Sequence, residues 1–137
     1  MKSIINQEGV KSMTNTERSE VINLVEKKTG NFNLKSRRND KSVFLSFGHT
    51  TIEIPISEFK SILDFVSETE DELVDFRRED SSIFPLADRK TNHFDLTSFK
   101  DCEVMYLGFG HTMITISVKS FKVFSTFIRE TYNKLSD

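Results

Sequence analysis

The chain has no tryptophan, one cysteine, two prolines and five glycines in 137 residues, and each scarcity narrows what it can be. A lone cysteine, Cys102, makes no intrachain disulfide and finds no thiol partner for a zinc cluster; it reads as a small, half-buried apolar side chain. The absence of Trp and the two prolines, taken with the apolar and charged fractions, suit a globular rather than a disordered chain. No apolar run approaches the ~18 residues of a membrane-spanning helix, and the opening MKSIINQEGVKSM lacks the hydrophobic segment of a signal peptide. The expectation is an intracellular protein, cytoplasmic or nuclear, without a membrane partner. Neither sign of charge dominates: Lys and Arg number 19 against 21 Asp and Glu, a balance that speaks against a dedicated duplex-DNA binder but allows a local basic patch. No Gly-rich phosphate loop, nucleophile elbow or zinc motif is present, so the sequence predicts no enzyme, no catalytic residue, no metal and no cofactor.

What the chain does have is phenylalanine, thirteen of them, and a repeat that places most of them twice. SVFLSFGHTTIEIPISEFKSILDF, from Ser42 to Phe65, returns sixty-two residues later as VMYLGFGHTMITISVKSFKVFSTF, from Val104 to Phe127, without a gap. At the same offset Phe32 meets Phe94, Leu34 meets Leu96, Thr29 meets Thr91 and Leu24 meets Leu86. Copies of this length are too small for a comfortable core apiece, so they are expected to share one. A 36% apolar, 29% charged composition suits a soluble globular domain.

Within each copy the hydrophobic period locates the elements. Glu20 to Lys28 has helical propensity, but its counterpart SSIFPLADRK carries Pro85, which costs ~3 kcal/mol or more inside a helix. Both segments therefore read as extended edge strands, where proline is tolerated. Alternation puts Phe32 and Leu34, or Phe94 and Leu96, on one face of a second strand. Polar turns follow, at Arg38-Asn39-Asp40-Lys41 and at Lys100-Asp101. In the third strands Val43, Leu45 and Phe47, and Met105, Leu107 and Phe109, face one way, with Phe44 and Tyr106 facing the other. Gly48-His49 and Gly110-His111 read as hairpin turns into fourth strands with Ile52 and Ile54, or Ile114 and Ile116, turned inward. The period then becomes helical, with stripes of Phe59, Ile62, Leu63 and Val66, and of Phe121, Phe124, Phe127 and Ile128. Residues 1–16 lie outside the repeat and read as a flexible tail, with a helical turn near Thr14 from the capping-box spacing of Thr14 and Glu17. Glu68 to Asp80 reads as the solvated end of the first helix plus a linker, anchored by Leu73, Val74 and Phe76.

A repeated β-β-β-β-α unit with Phe32, Leu34, Asn39, Lys41, Phe44, Leu45, Phe47, Ile52, Ile54 and Phe59 at these places resembles the PUR repeat of the purine-rich-element-binding proteins. The same unit is used by the Whirly proteins and by a single-stranded-DNA-binding transcriptional coactivator family. The resemblance implies an α+β fold in which two tandem repeats, residues 17–75 and 79–137, intertwine into one domain. It also implies single-stranded DNA or RNA as the partner, bound on the sheets, with a role in transcription, replication or RNA handling. The second copy departs from the pattern where binding would occur: Asp101 and Glu103 replace Asn39 and Lys41, and Thr97 and Phe99 replace Lys35 and Arg37. Any nucleic-acid site is thus expected to be led by the first copy.

Single strands are held by cations that track phosphates and by aromatic faces on which bases stack. The residues that supply both are Lys35, Arg37, Arg38, Asn39 and Lys41, with Phe44 and, in the second copy, Tyr106. The same residues have plainer uses, since the other repeat's helix could cover the rings and the cations could guard a sheet edge. A protein-interaction or homodimerisation module of the same fold is the alternative, favoured by the acidic connector and the neutralised second copy. His49 and His111 recur beside Gly and Thr without a carboxylate or thiol at ligand spacing, and are read as residues that fix a turn. His93, Asp95 and Cys102 are close in sequence but fall on alternating faces and a turn, which argues against a catalytic set.

Overall fold

Two-residue alternation from Ile22 to Pro55 becomes four strands in the computed structural model, which describes residues 20–75 and 84–135. They are β1 (Ile22–Lys28), β2 (Asn33–Arg38), β3 (Ser42–Phe47) and β4 (Thr50–Pro55), antiparallel in the order β1-β2-β3-β4. A 3-10 turn, Ile56–Glu58, leads into helix α1 (Phe59–Asp75). The same order follows with β5 (Phe84–Lys90), β6 (Asp95–Asp101), β7 (Val104–Phe109), β8 (Thr112–Ser117) and helix α2 (Val118–Leu135), giving a second sheet β5-β6-β7-β8. The described residues are thus α+β, with two four-stranded antiparallel sheets and two helices. The N-terminal tail, the turn at Thr14 and the connector beyond Asp75 lie outside the described residues. Glu68 to Asp75 is the end of α1, with Leu73 packed on the core.

Helical propensity over Glu20 to Lys28 yields to strand, as the proline of the second half requires. Pro85 lies on the edge strand β5, and a bulge interrupts the pairing there between Pro85 and Ala87; β1 has its bulge at the corresponding place, between Asn23 and Val25. Thr29 and Thr91 organise the turns that follow. Thr29 Oγ1 accepts from the N–H of Asn31 and of Phe32 at 2.9 and 3.0 Å, and Thr91 Oγ1 accepts from His93 and Phe94 at 3.1 and 2.9 Å. Gly48 and Gly110 take φ +65° and +66° in the two-residue hairpin turns, and a Cβ on either would press on Phe32 or Phe94. One expected turn is displaced: Lys100 and Asp101 belong to β6, and the chain reverses at Cys102-Glu103 with Cys102 at φ +58° and exposed. Nothing about cysteine predicts this conformation, which L-residues rarely adopt.

The helices cross over. Helix α1 packs against β5 and β6 of the second sheet, and α2 against β1 and β2 of the first. Buried hydroxyl pairs fix both crossings: Ser36 on β2 bonds Thr131 on α2 at 2.8 Å, and Ser98 on β6 bonds Thr69 on α1 at 2.8 Å. Outside them run two ion pairs, Lys27–Glu130 at 3.2 Å and Arg89–Glu68 at 3.5 Å. Each of these contacts in one half has its partner sixty-two residues on in the other. The apolar faces of both sheets and both helices form one core, in which Phe47 and Phe109 stack on each other with ring centroids 5.9 Å apart. A single shared core suits units this small.

Candidate nucleic-acid interface

Because Val43, Leu45 and Phe47 face the core, the alternate residues of the first sheet face away from it. Registry then assembles the outer face row by row. Lys28 opposes Asn33, Glu26 opposes Lys35 and Ser46, in turn, opposes Lys35, while Arg37 opposes Phe44, which opposes Glu53. The Arg37 guanidinium sits over the Phe44 ring, 6.0 Å from its centroid, a cation–π contact on the face turned away from the helices. Arg37 Nε is shut from solvent and has no hydrogen-bond partner among the described residues. Neither Lys35 nor Arg37 has an ion-pair partner among the described residues. Two carboxylates share the face, and Glu53 is engaged by Ser42 Oγ at 2.8 Å.

The structure therefore separates residues that sequence proximity had grouped. Lys35, Arg37 and Phe44 come together. Arg38 lies on the opposite side of β2, registered with buried Val43, and its Nε donates to the Asn39 carbonyl at 3.1 Å. Asn39 builds the turn, its Oδ1 accepting from the N–H of Lys41 and of Ser42 at 2.9 and 2.8 Å. Lys41 is exposed at the tip of that turn. Tyr106 is on the other sheet, opposite Phe99 and Thr115, so no strand joins it to Phe44. Neither ring belongs to the core, and the helices pack on the other face of each sheet. Lys28 is a cation of this face that sequence reading missed; once β1 is paired with β2, strand alternation finds it.

The histidines are not part of these rows, though His93 borders the face beside Ser42, Glu53 and Pro55. His49 and His111 are exposed at hairpin tips, where the glycine before each sets the turn and neither imidazole makes a hydrogen bond among the described residues. His93 Nδ1 instead pairs with Glu58, a carboxylate only 8% exposed. Burial alone would raise the Glu58 pKa, but hydrogen bonds from Thr91 and His93 and the His93 charge bring it below the usual glutamate value. Asp95 pairs with Lys90 at 3.6 Å and Cys102 follows the far end of β6, so His93, Asp95 and Cys102 form no set. Among the described residues no group of three His, Cys, Asp or Glu side chains is placed to hold a metal ion, and no helix is long and apolar enough to cross a membrane. In comparisons with protein-family models, curated proteins and solved structures, nothing matches this chain.

Proposed function

We propose that the protein is a non-catalytic, intracellular single-stranded nucleic-acid-binding protein whose interface is the outer face of the first sheet. The carrying observation is the Arg37–Phe44 pair on the face turned away from the helices, with Lys35 beside it and without an ion-pair partner among the described residues. Lys28, Lys35 and Arg37 supply the phosphate contacts, Lys41 extends them at the turn, and Phe44 offers a ring for a base. The order of elements and the exchange of helices between halves are those that a tandem, intertwined PUR-like domain requires, which supports the same reading. The second sheet has Thr97 and Phe99 at the corresponding positions and takes no phosphate role.

The test is fluorescence anisotropy of labelled single-stranded DNA and RNA, at two salt concentrations and with duplex competitor. Binding should weaken with salt, as counterion release demands, and prefer single strands. Phe44→Ala should cost about 1–3 kcal/mol, the worth of one stacked base, and Lys35→Glu with Arg37→Glu should abolish binding while leaving the circular dichroism unchanged. Affinity unmoved by these changes overturns the assignment of the face, and absence of binding at low salt overturns the function.

A further inference from the structure

The two sheets end differently at their last strands. In the second sheet the two-residue turn after Phe109 makes Phe109 and Thr112 a hydrogen-bonded pair, as are Leu107–Ile114 and Met105–Ile116. The next step of that ladder is present, Val118 N–H to Glu103 carbonyl at 2.8 Å. Met113, Thr115 and Ser117 consequently turn their peptide groups away from β7. The Ser117 N–H does so visibly, donating to Asn31 Oδ1 at 3.1 Å. Among the described residues no strand pairs with this edge, which leaves the N–H and C=O groups of Met113 and Thr115 open.

The first sheet protects the same edge. Its outward residues are Thr51, Glu53 and Pro55, so a charge stands in the middle and a residue without an N–H at the end. In β8 those places hold Met113, Thr115 and Ser117, and the whole strand, TMITIS, carries no ionisable side chain.

We infer that β8 is a self-association edge, taking the β8 of a second copy of this chain in an antiparallel pair about a two-fold axis at Ile114. In that register Met113 of one copy exchanges both peptide hydrogen bonds with Thr115 of the other, and the reverse, so all open groups are satisfied. The occupant is a second copy because the strand is self-complementary in this register and, being uncharged, brings no like charges together. The pairing also removes exposed apolar surface: Met113, 55% exposed, falls beside the partner strand. The outer faces bearing Phe99 and Tyr106 join into one eight-stranded sheet. This edge is on the other sheet from the nucleic-acid face, so the two sites are separable.

Sedimentation velocity of the full chain over a concentration series tests this. A reversible monomer–dimer equilibrium is expected. Thr115→Glu, which copies Glu53 of β4, should weaken it severalfold by setting like charges at diagonal positions beside the axis. Thr115→Pro should weaken it by removing the donor, and both variants should keep the wild-type circular dichroism and the affinity for single strands. If Thr115→Glu fails to fold, Met113→Lys reads the same edge. A wild-type chain that stays monomeric throughout, or a dimer that edge variants leave unweakened, overturns the inference.

Discussion

Glu58 shows what a single position can hide. In sequence it is one acidic residue before a helix; in the structure it is buried, with one carboxylate oxygen paired to His93 and the other, Oε1, without a hydrogen-bond partner among the described residues. Its pKa is lowered, so the native state binds fewer protons than the unfolded state across the glutamate titration. The stability it contributes is complete above the ordinary glutamate pKa and is lost as pH falls through and below that value. Glu70, held down by Arg129 and Ser125 against its own burial, acts in the same direction. Glu58→Gln should therefore lower stability at neutral pH by about 1–3 kcal/mol and flatten the acid limb of urea midpoints against pH. An unchanged acid limb would show that Glu58 is not a source of it. Residues defined by alternation, such as Phe44 and Leu45, were legible in sequence because strand geometry fixes their faces. The roles of Asn39, Arg38 and Glu58 were not, because they depend on which backbone groups and which distant side chains are nearby.

Elements were more legible than residues, and the reason is the repeat. Glu20 to Lys28 alone favours a helix, and only Pro85 at the matching place of the other half forces the strand. The hairpin at Cys102-Glu103 escaped because its left-handed residue is neither Gly nor Asn. The side-chain contacts between helix and sheet were not legible in the residues: Ser36 and Thr131, like Thr69 and Ser98, look like ordinary polar positions until α2 crosses to the first sheet and α1 to the second. These hydroxyl pairs are fully buried, and Ser36 Oγ also accepts the Val25 N–H at 3.1 Å. Ser36→Ala should thus cost about 1–3 kcal/mol, since it strands a buried Thr131 hydroxyl and a backbone donor. A double-mutant cycle with Thr131→Val should give a coupling of about 0.5–1.5 kcal/mol. A coupling of zero would mean that the pair does not tie helix to sheet.

At the scale of the whole molecule, the exchange of helices decides what can fold. Phe47 on β3 meets Phe124 on α2 with centroids 5.6 Å apart, and Phe65 on α1 meets Phe109 on β7 at 6.2 Å. Each sheet's apolar face is closed by a helix from the other half, as the small size of each copy led one to expect, although length alone could not say which helix closes which sheet. A fragment of residues 1–75 keeps all four strands of the first sheet but loses α2, leaving Leu34, Leu45, Phe47 and Ile54 uncovered, residues that are at most 3% exposed in the whole chain. Folding back α1 over its own sheet would need a new partner for Thr69 and would break the Glu68 and Glu70 pairs with Arg89 and Arg129. Neither fragment 1–75 nor fragment 76–137 should therefore unfold cooperatively as a monomer, whereas mixing them in equal amounts should restore a cooperative urea transition. Phe121→Asp in the intact chain should act like the separation, by placing a charge in the shared core. A monomeric fragment with a sharp transition of its own would show instead that one sheet and one helix suffice, and that the crossing of α1 and α2 is dispensable.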